Sequence, residues 1–170
     1  MEIERKFTVK NLPEHLEQYE KKEIEQAYLN GDNPTIRIRK SNEEYYLTYK
    51  SREGVLMDEA STALSREEVE LPLTKESYEH LREKADGQVI RKTRYLIPIE
   101  NGRKIELDLF HGYLQGLILA EVEFESEEEA AAYQMPVWME EDVTFDCHFR
   151  NAVMARFSRF EELMAWKGDE

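Results

Sequence analysis

The chain has 170 residues, 41% of them hydrophobic, a formal net charge of −14 and a single cysteine, Cys147. That length predicts one domain spanning 1–170, able to bury about 70% of its unfolded surface. The charge excludes a general nucleic-acid binder, because phosphate backbones are held by positive surfaces, but it leaves room for a small anion in a private basic cavity, since charges more than about 8 Å apart are screened in physiological salt.

Met1 is followed directly by acid, with no apolar run of signal-peptide or membrane-spanning length; Leu117 to Ala120 is among the longest apolar stretches. One cysteine cannot form an internal disulfide, so a cytoplasmic location without membrane attachment is expected.

The opening Glu2-Ile3-Glu4-Arg5-Lys6-Phe7 alternates charge with apolar bulk, and on a strand Glu2, Glu4 and Lys6 share one face. A short helix is predicted from Asn11 or Leu12 to about Glu20, with Pro13 in its first turn and Leu12, Leu16 and Tyr19 on one side. Ile24 to Leu29 reads as a strand, and Asn30-Gly31-Asp32-Asn33-Pro34 as a turn. Thr35 to Lys40 and Tyr45 to Arg52 form a hairpin-like pair. Val55 to Leu64 has no period and reads as a mobile loop.

Ser65 to Leu73 alternates again. Thr74 suits an N-cap, with Leu73 and Tyr78 as a hydrophobic staple and Gly87 ending the helix. Val89 to Ile99, Lys104 to Phe110 and Leu119 to Glu125 read as strands, the first two joined by a turn at Glu100-Asn101-Gly102. Ser126 with Glu129 starts a helix that stops near Pro136. Phe149, Val153, Phe157, Phe160 and Met164 recur at helical spacing and predict a long amphipathic helix from about 149 to 166.

On one parity of the strands nearly every residue is ionic. Arg37 and Arg39, then Lys50 and Arg52, then Lys92 and Arg94 supply cations. Glu106 and Asp108, then Glu121, Glu123 and Glu125 supply carboxylates; Arg66, Glu68 and Glu70 mix both. A solvated sheet face usually dilutes its charges with Ser, Thr, Asn and Gln. If the sheet closes into a barrel, these faces meet in its lumen and the apolar parity faces outward under helices. Opposed walls of cations and carboxylates are costly unless a ligand and a metal complete them. Polyphosphate with Mg²⁺ or Mn²⁺ fits: guanidinium forks match phosphoryl oxygens, and hard divalent ions take carboxylates and phosphates together. Transition-metal chemistry is not expected, since His15, His80, His111 and His148 show no ligand-type pairing among themselves or with Cys147. Nor is there a glycine-rich phosphate cradle.

The order Glu2-x-Glu4-x-Lys6, Gln26-Ala27-Tyr28-Leu29, Arg37-x-Arg39, Lys50-Ser51, Ser65-Arg66-x-Glu68-x-Glu70, Lys92-Thr93-Arg94-Tyr95, Glu106-x-Asp108, Glu121-x-Glu123-Phe124 and Val143-Thr144-x-Asp146 before Asn151 resembles the CYTH, or triphosphate tunnel metalloenzyme, superfamily across essentially the whole chain. The resemblance implies an α+β fold: a closed antiparallel barrel of about eight strands whose tunnel binds triphosphate, with helices outside. The short bacterial members that open like this chain are inorganic triphosphatases, which implies metal-dependent cleavage of tripolyphosphate to pyrophosphate and phosphate, with weaker use of ATP. By the same resemblance Lys6, Arg37, Arg39, Lys50, Arg66, Lys92 and Arg94 hold phosphate. Glu2, Glu4, Glu121 and Glu123 hold metal, with Asp108 and Glu70 assisting. Glu4, Glu70 and Lys92 are the expected catalytic residues, Glu4 and Glu70 lying near a second ion that activates the attacking water. Glu68 is expected to pair with a neighbouring cation, and Arg52 and Glu106 to sit at the tunnel mouths.

Two departures stand out. His148 occupies a position where relatives carry arginine, which weakens a fixed positive charge there, and the 52–64 loop is longer than in compact members. The alternatives are a class IV-type adenylate cyclase, a thiamine triphosphatase, or a non-catalytic polyphosphate-binding module, as a monomer or a homodimer.

Overall fold

A computed structural model describes residues 1–53 and 61–168. Eight strands wind into an antiparallel barrel: β1 (Glu2–Val9), β2 (Glu20–Gly31), β3 (Thr35–Ser41), β4 (Glu44–Ser51), β5 (Leu64–Pro72), β6 (Asp86–Pro98), β7 (Lys104–Phe110) and β8 (Ile118–Phe124). The order around the sheet is β5-β4-β3-β2-β6-β7-β8-β1, closed by β1 on β5. A ninth strand that the sequence did not announce, β9 (Met139–Asp142), extends the sheet on β1.

Period-two patterning builds this barrel because it offers two different surfaces. On the outward parity Ile3, Phe7, Ile97, Ile105, Leu107, Val122 and Phe124 form one core, covered by the segment around α2 (Glu127–Ala132), whose N-cap Ser126 accepts from the Glu129 N–H. Ala27 and Ile38 form a second with Tyr78 of α1 (Lys75–Arg82), capped by Thr74 as expected.

α1 stops at Arg82, however, and Gly87 belongs to β6. Its φ of +70° and its closeness to the chain explain the glycine: a Cβ there would stand 2.1 Å from the Ala155 carbonyl oxygen. That carbonyl accepts the Gln88 N–H at 2.6 Å, so Gly87 lets the C-terminal segment close on the barrel. The helix expected from residue 11 or 12 to 20 is a single 3-10 turn, Leu16–Gln18. His15 takes a left-handed φ of 58° before it and Leu12 stays exposed, so the short apolar face has too little to bury to nucleate a helix. Most of the loop expected over 55–64 lies outside the described residues, while Leu64 already begins β5.

The largest correction concerns the C-terminus. The helix expected over 149–166 is broken into a 3-10 turn at Cys147–Phe149 and two short helices, α3 (Asn151–Met154) and α4 (Phe160–Ala165). Nor does it lie along the outer wall. Phe149, Val153, Met154, Ala155 and Leu163 pack on Tyr28, Ile90, Phe110 and Leu119, residues on the lumenal parity, and so plug one end of the barrel. A straight helix presents one stripe to a flat surface; a concave pit needs a chain that turns. Phe160 and Met164, members of that stripe, remain exposed. No helix among the described residues is long and apolar enough to cross a membrane.

Candidate active site

The strand registers stack the lumenal side chains in rings. Because barrel strands tilt, a ring advances two residues at each crossing to the next strand. Starting at Glu4, such steps pass through Arg66, Lys50, Arg37, Gln26, Lys92, Asp108 and Glu121 and return to Glu4. The adjacent ring is Glu2, Glu68, Thr48, Arg39, Ile24, Arg94, Glu106 and Glu123. Lys6 and Arg52 belong one ring nearer the plugged end, and Glu70 and Tyr46 one ring nearer the open end.

Two rings therefore contain nearly all the predicted site. Apart from Glu68 on β5, their carboxylates occupy the β7–β8–β1 wall, and their cations the β3–β4–β5 wall together with β6. The lumen encloses about 750 Å³ and is lined by Glu2, Glu4, Lys6, Arg37, Arg39, Lys50, Arg66, Glu70, Lys92, Arg94, Glu121 and Glu123.

Some cations are already answered. Lys50 Nζ lies 2.8 Å from Glu2, Arg66 3.1 Å from Glu4, and Lys6 3.2 Å from Glu121. Arg94 forks onto Asp108 at 2.7 and 2.8 Å and also meets Glu106. Others are not. Among the described residues Arg39 donates only to the neutral amide of Gln26, at 3.0 and 2.7 Å, and Arg37 only to the Thr48 hydroxyl, at 3.3 Å. Burial, then Arg37 and Arg94, push the Arg39 guanidinium down from its ordinary value. Among the described residues, four buried side-chain nitrogens lack a hydrogen-bond partner, and three of them, the Nε atoms of Arg37, Arg66 and Arg150, belong to side chains that line this cavity. Buried donors are normally satisfied, so these point to an absent acceptor.

The opposite wall has the reverse problem. Burial, then Glu121 and Glu2, raise Glu4 to about 7. Glu123 is also raised, by burial and by Glu2, Glu106 and Glu4. Glu121 is held well below the usual carboxylate range: Lys6, then Arg94 and Lys92, outweigh its burial. Four crowded carboxylates with only oxygen donors suit a hard divalent ion and not a soft one.

Three expectations change. Asp108 is not in the lining; 1% exposed, it lies beneath and braces Lys92 (2.7 Å) and Arg94, so it orients cations and does not face a metal. Glu70 lines the open end, where it is exposed. Glu4 faces Leu64 across the ladder and Glu70 lies six residues further along β5, so the two line the same cavity at different heights. Glu68 lines the lumen beside Lys50 but forms no ion pair among the described residues, while Glu106 is claimed by Arg94.

Against expectation, Asp146, Cys147 and His148 bring ligand atoms within 4.8 Å of one another. Both His148 ring nitrogens are committed, Nδ1 to Asp146 and Nε2 to the Trp166 carbonyl, each at 2.6 Å. Both partners offer acceptor oxygens, so these contacts favour the doubly protonated ring. The Trp166 carbonyl, then Asp146, raise its pKa accordingly. His148 thus clasps the C-terminal segment through the Trp166 carbonyl and does not line the lumen. Arg150, two residues on, does, and sequence reasoning gave it no role. Gln26 was likewise quoted without one, although alternation along β2 already put it on the lumenal side.

Residues 1–141 match the CYTH domain family. The chain is 36% identical to an inorganic triphosphatase of Nitrosomonas europaea over 91% of its own length and 96% of that protein's. It is 32% identical to an inorganic triphosphatase of Acetivibrio thermocellus, over 81% and 83%. The crystal structure of an inorganic triphosphatase superposes with a TM-score of 0.66 at 33% identity, covering 92% of this chain and 95% of the other. This chain belongs to the CYTH domain family.

Proposed function

We propose that the protein is a triphosphatase, a hydrolase that cleaves inorganic tripolyphosphate to pyrophosphate and phosphate with Mg²⁺ or Mn²⁺ as its cofactor, in the cytoplasm. One observation carries this reading: uncompensated guanidinium groups face a crowded carboxylate wall across a single cavity. An anion of high charge, entering with a divalent ion, relieves both walls together. Relatives named inorganic triphosphatase, covered over most of their length, point the same way.

Glu2, Glu4, Glu121 and Glu123 would hold the ion. When bound, it supplies charge neutralisation and polarises a phosphoryl oxygen. The remaining work belongs to the chain. Arg37, Arg39, Lys50, Arg66, Lys92 and Arg94 anchor the phosphoryl groups and offset the charge that develops on their oxygens, the main protein contribution to phosphoryl transfer. Asp108 keeps Lys92 and Arg94 aimed into the lumen. Burial pushes Lys92 down to about 7 despite Asp108. An anion beside it favours the charged form, so substrate and Lys92 charge each reinforce the other. Water then attacks a terminal phosphorus: the new P–O bond forms as the P–O–P bridge breaks, pyrophosphate leaves with the bridging oxygen, and the water's proton passes to the leaving group or to solvent.

Phosphate release from tripolyphosphate, pyrophosphate, ATP and thiamine triphosphate, each with Mg²⁺, Mn²⁺ or EDTA, tests this directly. Tripolyphosphate with metal is expected to be fastest and EDTA to abolish turnover. Glu4→Ala and Lys92→Ala should each lose at least about 100-fold in rate while keeping a cooperative melt. Wild-type rates in either variant refute the assignment.

A further inference from the structure

The two ends of the tunnel differ. Residues 143–155 cross one end and are tied to the barrel along the way. The Val143 N–H donates to the Lys6 carbonyl (2.8 Å), Lys6 Nζ donates to the Phe149 carbonyl (2.9 Å), and the Gln88 N–H donates to the Ala155 carbonyl (2.6 Å). The cap also touches the barrel beside the β2–β3 turn, where a Cβ on Gly31 would make ordinary contact with Ala152 at 3.7 Å. Nothing of the kind crosses the other end among the described residues, where Lys22, Tyr46, Leu96 and Lys104 line the opening.

Three arginines gather under the cap. Arg66 and Arg52 are neighbours, since the antiparallel β4–β5 ladder ends at Ser51 opposite Glu67 and one further step sets Arg52 opposite Arg66. The Arg52 N–H is pinned to Asn33 Oδ1 at 2.9 Å beside the β2–β3 turn. Arg150 reaches in from the cap. All three line the cavity. Arg66 has Glu4 for a partner, but Arg52 and Arg150 form no ion pair among the described residues. The Nε atoms of Arg66 and Arg150 are buried and unpartnered. Burial lowers the Arg150 pKa, and Arg52 and Arg66 lower it further, with Cys147 and then Asp32 only partly opposing them. An excess of cationic donors is thus gathered beneath the cap.

We propose that Arg52 and Arg150, with Arg66, form a subsite for the terminal phosphoryl group of the chain, so that a polyphosphate is accepted only by a free, unsubstituted end. The inference rests on the triphosphatase reading and adds the direction of entry. A terminal phosphoryl group carries up to two negative charges and three acceptor oxygens, more than an interior one, and three guanidinium forks match it. Because the cap is tied across this end, a substituted triphosphate enters free end first and leaves its nucleoside or other substituent at the open end.

The test is binding in EDTA, by calorimetry, of three ligands: tripolyphosphate with two free ends, ATP with one, and diadenosine triphosphate with none. The wild type is expected to bind diadenosine triphosphate at least tenfold more weakly than ATP. The Arg52→Ala/Arg150→Ala double variant should lose at least tenfold for tripolyphosphate and ATP but less than twofold for diadenosine triphosphate. Arg52→Lys and Arg150→Lys, which keep charge without the fork, should fall between, and they carry the test if the double variant does not fold. Double-variant affinity for tripolyphosphate within twofold of wild type overturns the proposal, as does diadenosine triphosphate binding as tightly as ATP. Absence of tripolyphosphate turnover in the wild type would instead sink the triphosphatase reading and leave this comparison of ends standing.

Discussion

The sharpest consequence of the carboxylate wall is a proton released when a divalent ion binds. Glu4 is raised from the usual 4.5 to about 7 by burial and by Glu121 and Glu2. At pH 6 it is about nine-tenths protonated and at pH 8 about one-tenth, so an ion that needs the carboxylate must displace that proton. Apparent Mg²⁺ affinity should therefore fall about tenfold from pH 8 to pH 6, or about 1.4 kcal/mol. About half a proton should leave per ion at pH 7. Calorimetric titrations in two buffers of different ionisation enthalpy read both quantities. The sign for folding runs opposite to that of a salt-bridged acid. The native state keeps the Glu4 proton longer than the unfolded chain, so the Glu4 contribution to metal-free stability is fullest below pH 4.5 and is lost as pH rises through about 7. The whole window is worth about 3 kcal/mol. Saturating Mg²⁺ should cancel the decline. Glu4→Gln should bind Mg²⁺ more weakly and lose the pH step. Equal affinities at pH 6 and pH 8 in the wild type, or an undiminished step in Glu4→Gln, would refute the reasoning.

Three further outcomes follow from single contacts. Asp108→Asn strips the counter-charge from Lys92 and Arg94 and should cost about 3–5 kcal/mol in urea denaturation at pH 7. Asp108 is held below its usual range by Arg94 and then Lys92 despite burial, so its contribution is present at neutral pH and lost as pH falls through that depressed value; the gap between variant and wild type should close in acid. Leu163→Ala empties a fully buried position in the plug and should cost about 2–5 kcal/mol by the same denaturation. Glu70→Ala should leave Mg²⁺ affinity and tripolyphosphate turnover within about twofold of wild type, as a change of under about 0.5 kcal/mol implies. A large loss of either would show that Glu70 reaches the carboxylate wall after all.

The barrel and the members of its two rings were legible because alternation is a local property: once a strand is recognised, parity alone assigns Lys50, Lys92 or Glu121 to a face. What parity cannot supply is height along the lumen. Asp108 and Glu106 alternate identically with Ile105 and Leu107, yet one lies under Lys92 and Arg94 while the other lines the cavity; Glu4 and Glu70 share a parity and stand far apart along the strands. Height comes from register, and register is set by pairings between distant segments. The cap was hidden for a related reason. The i, i+4 spacing of Phe149, Val153 and Phe157 is the pattern of a helix on a flat wall, and nothing local says that Met154 and Leu163, off that stripe, are the ones fully buried. Gly87 was the available clue: its left-handed φ reads as a helix end when only neighbours are considered, but the Ala155 carbonyl, 68 residues later, occupies the space a side chain would need. The same long-range closure brings Arg150 under the barrel end and turns His148 away into its clasp on Trp166. The departure from the family pattern at His148 is thus accompanied, two residues on, by an arginine that does face the lumen.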